Sequence, residues 1–183
     1  MADPAEKRMT VAEFLEWDDG TDTRYELVRG KIVAMAPASA RHSIIASKLG
    51  SALEARLNRP CYVGINAAIV RPERDDTFYE ADLVVSCTPL EADMSTIPQP
   101  TVILEVLSPS TAEHDRGGKL YDYRRIPSVQ EIVLVASEQG DVEVWRRRGP
   151  KWELEDLIGD AALELETLGI AVPFAMSYAD GGI

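Results

Sequence analysis

A glutamate stands inside the most apolar strand-like run of the chain, and its position constrains the fold more than any other feature. Thr101-Val102-Ile103-Leu104 leads into Glu105, and Val106-Leu107 continues the apolar pattern. A run of this composition reads as a strand buried on both faces, where an unpaired ionised carboxylate is costly. Glu105 therefore needs a cation, hydrogen-bond donors, or a place at an open end of a sheet. The run stops at Ser108-Pro109-Ser110-Thr111, where Pro109 removes a ladder donor and the hydroxyls suit a helix N-cap. The spacing predicts a helix over Ala112–Arg125, with Asp115 and Lys119 on one face at i, i+4. A second apolar strand, Gln130–Val135, follows it. A strand–helix–strand crossover implies a parallel pair with a right-handed connection, which places Thr101–Leu107 in the sheet interior.

The remaining pattern supplies the rest of an α+β sheet. Thr10-Val11-Ala12-Glu13 is a capping box opening a short amphipathic helix that ends near Asp18-Asp19-Gly20. Arg24–Val28 and Lys31–Met35 flank Arg29-Gly30 as a hairpin. The longest helix is expected over Ala40–Leu57, with Ile45, Leu49, Leu53 and Leu57 forming its apolar stripe and Ile44 and Ala52 widening it. Strands follow at Tyr62–Val70 and Ala81–Cys87, separated by a charged turn, and a polar loop runs over Thr88–Pro100. Val142–Arg147 and Lys151–Leu157 form a second hairpin, and Gly169–Val172 a last short strand. The expected architecture is a mixed β-sheet flanked by helices on both faces, with added N-terminal and C-terminal hairpins. At 183 residues and 45% hydrophobic content, one domain over residues 10–173 is expected, with a disordered N-terminus (1–9) and a C-terminal tail (174–183).

Composition narrows the functional classes. No apolar run approaches the roughly 20 residues that span a bilayer, and the N-terminus has no apolar signal-peptide core. Cys61 and Cys87 lie in or beside apolar strands and read as reduced core residues, which fits a cytoplasmic protein. No Cys/His cluster has zinc spacing, and the two histidines are His42 and His114. A net charge of −12, from 31 acidic against 19 basic residues, repels polyanions at long range. A divalent cation in an acidic pocket reverses that balance locally. Arg146-Arg147-Arg148 is the compact basic run, and it reads as a solvated strand end. GxGxxG, P-loop and nucleophile-elbow patterns are absent.

The chemistry-bearing candidates are few. Asp82 and Glu105 are each a lone acid in an otherwise apolar strand. Adjacent strands lie about 5 Å apart, so two carboxylates at matching height can ligate one divalent ion. Mg²⁺ takes oxygen ligands of this kind, completed by water and substrate phosphate. The alternative is that Asp82 caps a loop and Glu105 pairs with an arginine. Glu105 and Leu107 share one strand face while Leu104 and Val106 share the other. A cation at position 107 would serve a metal site, but that residue is leucine. Lys119 is the substitute, able to orient or deprotonate water or to stabilise charge on a phosphate; its alternative role is a helix-surface partner of Asp115. Tyr123 continues the Asp115/Lys119 face. His42 lies in the first turn of the long helix, where a lone histidine is more often structural than catalytic.

The combination of RYELVRGKIVAMAP (Arg24–Pro37), His42 at a helix start, EADLVV (Glu80–Val85) and TVILEVLSPSTAEHDRGGKLYDYR (Thr101–Arg124) resembles the Uma-type restriction endonuclease family. That family lies within the PD-(D/E)XK nuclease superfamily. The likeness spans roughly residues 10–172, and its most specific part is EVLSPST followed by D-x-x-x-K. The resemblance implies a restriction-endonuclease-like fold, with Asp82 and Glu105 as metal ligands and Lys119 as the motif lysine displaced onto the helix. It further implies that Glu26, the acid of YEL-x-x-G, is an additional ligand or water-orienting group, and that Asp115 supports the lysine. One departure is Ala81, where the motif has proline before the aspartate.

Two functions compete at this point. One is a Mg²⁺-dependent endonuclease, with Mn²⁺ as the substitute ion, that hydrolyses DNA by metal-activated water; cutting both strands would suit a homodimer. The other is a non-catalytic binding or assembly protein that keeps the fold. A hydrolase of a smaller phosphate ester would differ from the first in substrate alone.

Overall fold

The structure, a computed structural model, describes residues 8–108, 115–138, 141–157 and 161–173. Helix α1 (Val11–Glu16) opens on the expected capping box: Thr10 accepts from the Glu13 N–H, and the Glu13 carboxylate accepts from the Thr10 N–H. A hairpin of β1 (Tyr25–Val28) and β2 (Lys31–Ala34) follows, then the long helix α2 (Ala40–Glu54), capped by Ser39. Strands β3 (Tyr62–Val70), β4 (Phe78–Ser86) and β5 (Val102–Leu107) come next. After them a π-helical turn, Asp115–Lys119, runs into the short helix α3 (Leu120–Tyr123). The chain ends with β6 (Glu131–Ala136), the hairpin β7 (Val142–Arg148) and β8 (Lys151–Leu157), and a separate pair, β9 (Ala162–Leu165) and β10 (Ile170–Pro173). The expected N-cap at Ser110-Thr111, the helix start at Ala112, His114, residues 1–7 and the tail from 174 lie outside the described residues.

Eight strands form one mixed sheet in the order β2-β1-β4-β5-β6-β7-β8, with β3 paired to β4. The pair β5–β6 is parallel, from Val102↔Glu131 to Leu107↔Ala136, and all six residues of β5 are buried. The crossover reading of this segment therefore holds. One face of the sheet is covered by α2 and the β9–β10 pair, through Ile45, Leu49 and Leu53 against Leu83, Leu104, Val106 and Val133. The other is covered by the chain from Leu120 to Val129, against Ala81, Ile103, Leu107 and Leu134. Leu104 and Val106 thus face one way and Ile103 and Leu107 the other, as the strand period requires. Ile44 is 44% exposed, so the α2 stripe is narrower than its sequence suggests. The strand Ala162–Leu165 was not foreseen; its short apolar pattern becomes a strand by pairing with β10.

Two irregularities in β3 and β4 build the site. First, β4 is forked. Its full length pairs with β3, so β1 and β5 share the remaining edge. Of these, β1 pairs at Phe78 and β5 only from Leu83 to Val85, which leaves residues 79–82 without a strand on that side. Second, the side-chain alternation slips at the fork. Ala81 and Val84 lie in the same core although three residues apart, while Leu83 and Val85 face the opposite core. In β3 the slip falls at Asn66, whose φ is +48°. The rungs on either side are Ile65↔Leu83 and Ala67↔Ala81, so Asn66 and Asp82 occupy the same break. The slip turns Gly64 and Ala67 toward one another: a Cβ at Gly64 would lie 2.9 Å from that of Ala67 and 3.1 Å from Cδ1 of Ile97. Glycine is required here by close approach.

Two expectations are corrected. Cys61 and Cys87 form a disulfide and are not reduced core residues. The reason is register: Tyr62 pairs with Ser86, so the next rung outward brings Cys61 and Cys87 together. The run Arg146–Arg148 is also not a solvated strand end. Arg146 is buried, bonding Glu131 at 3.1 Å and the Glu164 carbonyl at 2.8 Å. Arg147 spends its guanidinium on the carbonyls of Arg124, Ile126 and Val129 while stacking over Trp152. Only Arg148 remains at the surface, paired with Glu153 and Glu166.

Candidate active site

The fork leaves backbone groups of β4 without strand partners, and acidic side chains take their place. The Glu80 N–H donates to Glu26 Oε1 (3.0 Å) and the Asp82 N–H to Glu105 Oε2 (3.2 Å). On β5, the Val106 N–H donates to Asp82 Oδ2 (2.7 Å). These bonds satisfy polar groups that would otherwise be buried unpaired. They also fix Glu26, Asp82 and Glu105 along one line between β1, β4 and β5.

Lys119 reaches into this line from the π-helical turn. Its Nζ lies 2.8 Å from Glu26 Oε1, 3.2 Å from Glu105 Oε1 and 3.2 Å from the Glu80 carbonyl, with Asp115 at 3.7 Å. All three ammonium donors therefore have acceptors. The side chains of Lys119, Glu26, Glu105 and Asp115 are each at least 94% buried. Tyr123 completes the cluster by donating its hydroxyl to Glu105 Oε1 at 2.6 Å. Beneath it, Tyr79 stands edge-on to Tyr123 and donates to Asp122, which also accepts from Arg71.

Burial and charge pull in opposite directions here. Desolvation alone would lower the Lys119 pKa, but Glu105, Glu26 and Asp115 together hold it well above the ordinary lysine value. At Glu105 desolvation wins: its pKa is raised above the usual carboxylate range, with Asp82 and Asp115 adding to the rise and Lys119 and Tyr123 opposing it. Burial likewise raises the Tyr123 hydroxyl. His42 Nε2 lies 3.0 Å from Asp82 Oδ2, and that hydrogen bond raises the imidazole pKa despite burial.

A cleft of about 340 Å³ opens over these groups, lined by Glu26, His42, Asp82, Glu105, Asp115 and Lys119 and rimmed by the Ala34–Ser39 segment. The structure thus gathers Glu26, His42, Asp82, Glu105, Asp115 and Lys119 around one cleft, with Tyr123 buried behind Glu105. The two alternatives for the acids resolve as follows. Asp82 does not cap a loop, and the cation beside Glu105 is Lys119 rather than an arginine. Sequence reasoning missed Glu80, which binds the site through both its N–H and its carbonyl and pairs its carboxylate with Arg24. It also missed Asn66, which lines the cleft. An asparagine inside an apolar strand was the available signal for the second; no signal in the sequence marked the first.

The donor chemistry suits a hard divalent cation. Asp82 Oδ2 is held by Val106 and His42, whereas Oδ1 has no hydrogen-bond partner among the described residues. Glu105 Oε2 accepts one N–H and keeps a second lone pair. Among the described residues no group of three or more His, Cys, Asp or Glu side chains is arranged to hold a metal.

The fold is an α+β one, a mixed sheet forked around a buried lysine–carboxylate cluster. A crystal structure described as a "putative nuclease belonging to DUF820" from Anabaena variabilis matches it with a TM-score of 0.75, covering 93% of this chain and 98% of that one at 19% identity. Residues 11–176 match the Uma2 family, described as "Putative restriction endonuclease", and the chain belongs to that family. Two curated relatives from Synechocystis are similar along most of their length. One, the uncharacterized protein slr1290, is 26% identical over 93% of this chain and 92% of its own. The other, sll1609, is 31% identical over 85% of this chain and 91% of its own. No helix among the described residues is long and apolar enough to cross a membrane.

Proposed function

We propose that the protein is a Mg²⁺-dependent endonuclease, also served by Mn²⁺, that hydrolyses DNA phosphodiester bonds in the cleft over Asp82, Glu105 and Lys119. The observation that carries this reading is the convergence of those three groups at the fork of β4, with no hydrogen-bond partner for Asp82 Oδ1 among the described residues. Family membership supports the nucleic-acid substrate. Asp82 and Glu105 would hold the ion, which when bound supplies Lewis acidity toward the phosphate and toward water. Val106 N–H and His42 fix Asp82 in orientation, and Tyr123 and the Asp82 N–H do the same for Glu105. With its three donors engaged, Lys119 acts as a fixed positive charge beside the reacting phosphate rather than as a base. Glu26 anchors that charge, and Asp115 adds a second counter-charge. A homodimer would let two clefts address two strands.

The test is cleavage of plasmid and single-stranded DNA with Mg²⁺ or Mn²⁺, comparing wild type with Asp82→Asn, Glu105→Gln and Lys119→Met. Each variant should lose roughly 10²–10³-fold in rate. Saturating Mg²⁺, at about 100 times its Kd, should stabilise the wild type by about 2.7 kcal/mol in thermal unfolding, but not Asp82→Asn. Unchanged Mg²⁺-dependent nicking by Lys119→Met would overturn its assignment. A second reading has one observation in its favour: every donor around Glu105 comes from the protein itself, as in a purely structural buried cluster. Absence of both cleavage and metal-linked stabilisation would establish that non-catalytic binding or assembly role instead.

A further inference from the structure

We propose that Asn66 is a substrate-binding residue, its side-chain amide donating to a phosphate oxygen of the strand held beside Asp82. The inference rests on the nuclease reading and adds a group that neither the sequence motifs nor the acid–lysine cluster includes. Three non-glycine residues have positive φ among the described residues: Arg29, Asn66 and Gln99. Arg29 is in the β1–β2 turn and Gln99 in the loop before β5, where such geometry is ordinary. Asn66 alone has it within a strand.

A left-handed residue inside a strand is strained, and such strain clusters at functional sites. Here it has a visible structural consequence. It coincides with the break between the rungs Ile65↔Leu83 and Ala67↔Ala81, and so places Asn66 across from Asp82. The side chain is exposed, lines the cleft, and makes no hydrogen bond to any described residue. Glycine would serve the same backbone at lower steric cost; what asparagine adds is the amide.

The chemistry of the cleft explains why an amide is useful. Five carboxylates line it (Glu26, Glu80, Asp82, Glu105 and Asp115), and they repel a phosphodiester. Of the basic side chains that line it, Lys119 pairs with Glu26 and Glu105, Arg24 with Glu80, and His42 bonds Asp82 through Nε2. A neutral donor can hold a phosphate oxygen near Asp82 without competing for the ion, and Asn66 has two N–H groups unspent.

Two substitutions separate the amide from the backbone. Asn66→Gly keeps the positive φ and deletes the amide, whereas Asn66→Asp tolerates the same φ and replaces donors with a negative charge. The measurement is affinity for a short fluorescent DNA oligonucleotide in Ca²⁺, alongside cleavage in Mg²⁺ and a melting curve. Asn66→Gly should melt like the wild type, bind about tenfold more weakly and raise KM with kcat nearly unchanged; Asn66→Asp should bind more weakly still. Wild-type binding and cleavage by Asn66→Gly would overturn the inference and leave the nuclease reading intact, reducing Asn66 to a backbone device. If the wild type does not cut but the Asn66→Gly affinity still falls, the nuclease reading fails and the Asn66 contact stands. A wild type that binds no oligonucleotide overturns both.

Discussion

Tyr123 shows how single residues carry this site. Its hydroxyl is one of three donors on a buried carboxylate, so removing it leaves Glu105 one donor short. Tyr123→Phe should therefore destabilise the fold by about 1–3 kcal/mol in urea unfolding, although the ring itself remains packed. A cost below about 0.3 kcal/mol would show that Glu105 is not held as an ion by this bond. Much of this scale was legible in the sequence. A lone acid in an apolar run has to find a cation, and Lys119 and Tyr123 lie on the helix face that follows. His42 was readable only as a candidate, because its partner Asp82 is forty positions away and nothing local links them. Glu80 was not readable as a site residue because it contributes main-chain atoms, whose chemistry is the same in every residue.

At the scale of elements, the boundaries of β3 and β5 and the capping box of α1 followed from local pattern. The phase slip did not, because hydrophobic alternation in β4 looks continuous through Ala81, Leu83 and Val85. The structural sign of the slip is Gly64, where any Cβ would press on Ala67. Gly64→Ala should cost about 1–3 kcal/mol through overpacking. Gly118→Ala is the control: no described residue lies within 4 Å of a Cβ there, so chemical denaturation should show no loss. Equal effects at the two positions would mean that the close approach is not rigid. The helix expected over Ala112–Arg125 is, in its described part, a π-helical turn followed by one short α-turn. The turn buries Asp115 and Lys119 together, which an exposed i, i+4 pair would not require.

At the scale of the whole molecule, the disulfide closes a segment of 26 residues across β3 and β4, the two strands that carry Asn66 and Asp82. In the chain-entropy account a loop of that size contributes about 3–4 kcal/mol. A Cys61→Ser/Cys87→Ser double variant, or the wild type under reductant, should lose about that much in guanidinium unfolding while keeping the sheet. Equal stability with and without reductant would show that the ladder alone fixes the β3–β4 register. The negative charge of the chain also resolves at this scale. Five of its acids line one cleft, where they and a buried lysine compensate one another, so the net figure said little about the partner surface.

The sequence by itself determined the order of strands from β1 to β8, the parallel β5–β6 pair and the short set of acids and one lysine on which any chemistry must rest. Those depend on period, turn residues and the cost of burying charge, all of which act over a few positions. Only the tertiary structure decided that β4 forks, that Asn66 and Asp82 meet at one break, that Cys61 meets Cys87, and that Lys119 spends every donor it has. Each of these depends on which strands share an edge and in what register. Register is fixed by pairing between distant segments, and no local stretch of the chain contains it.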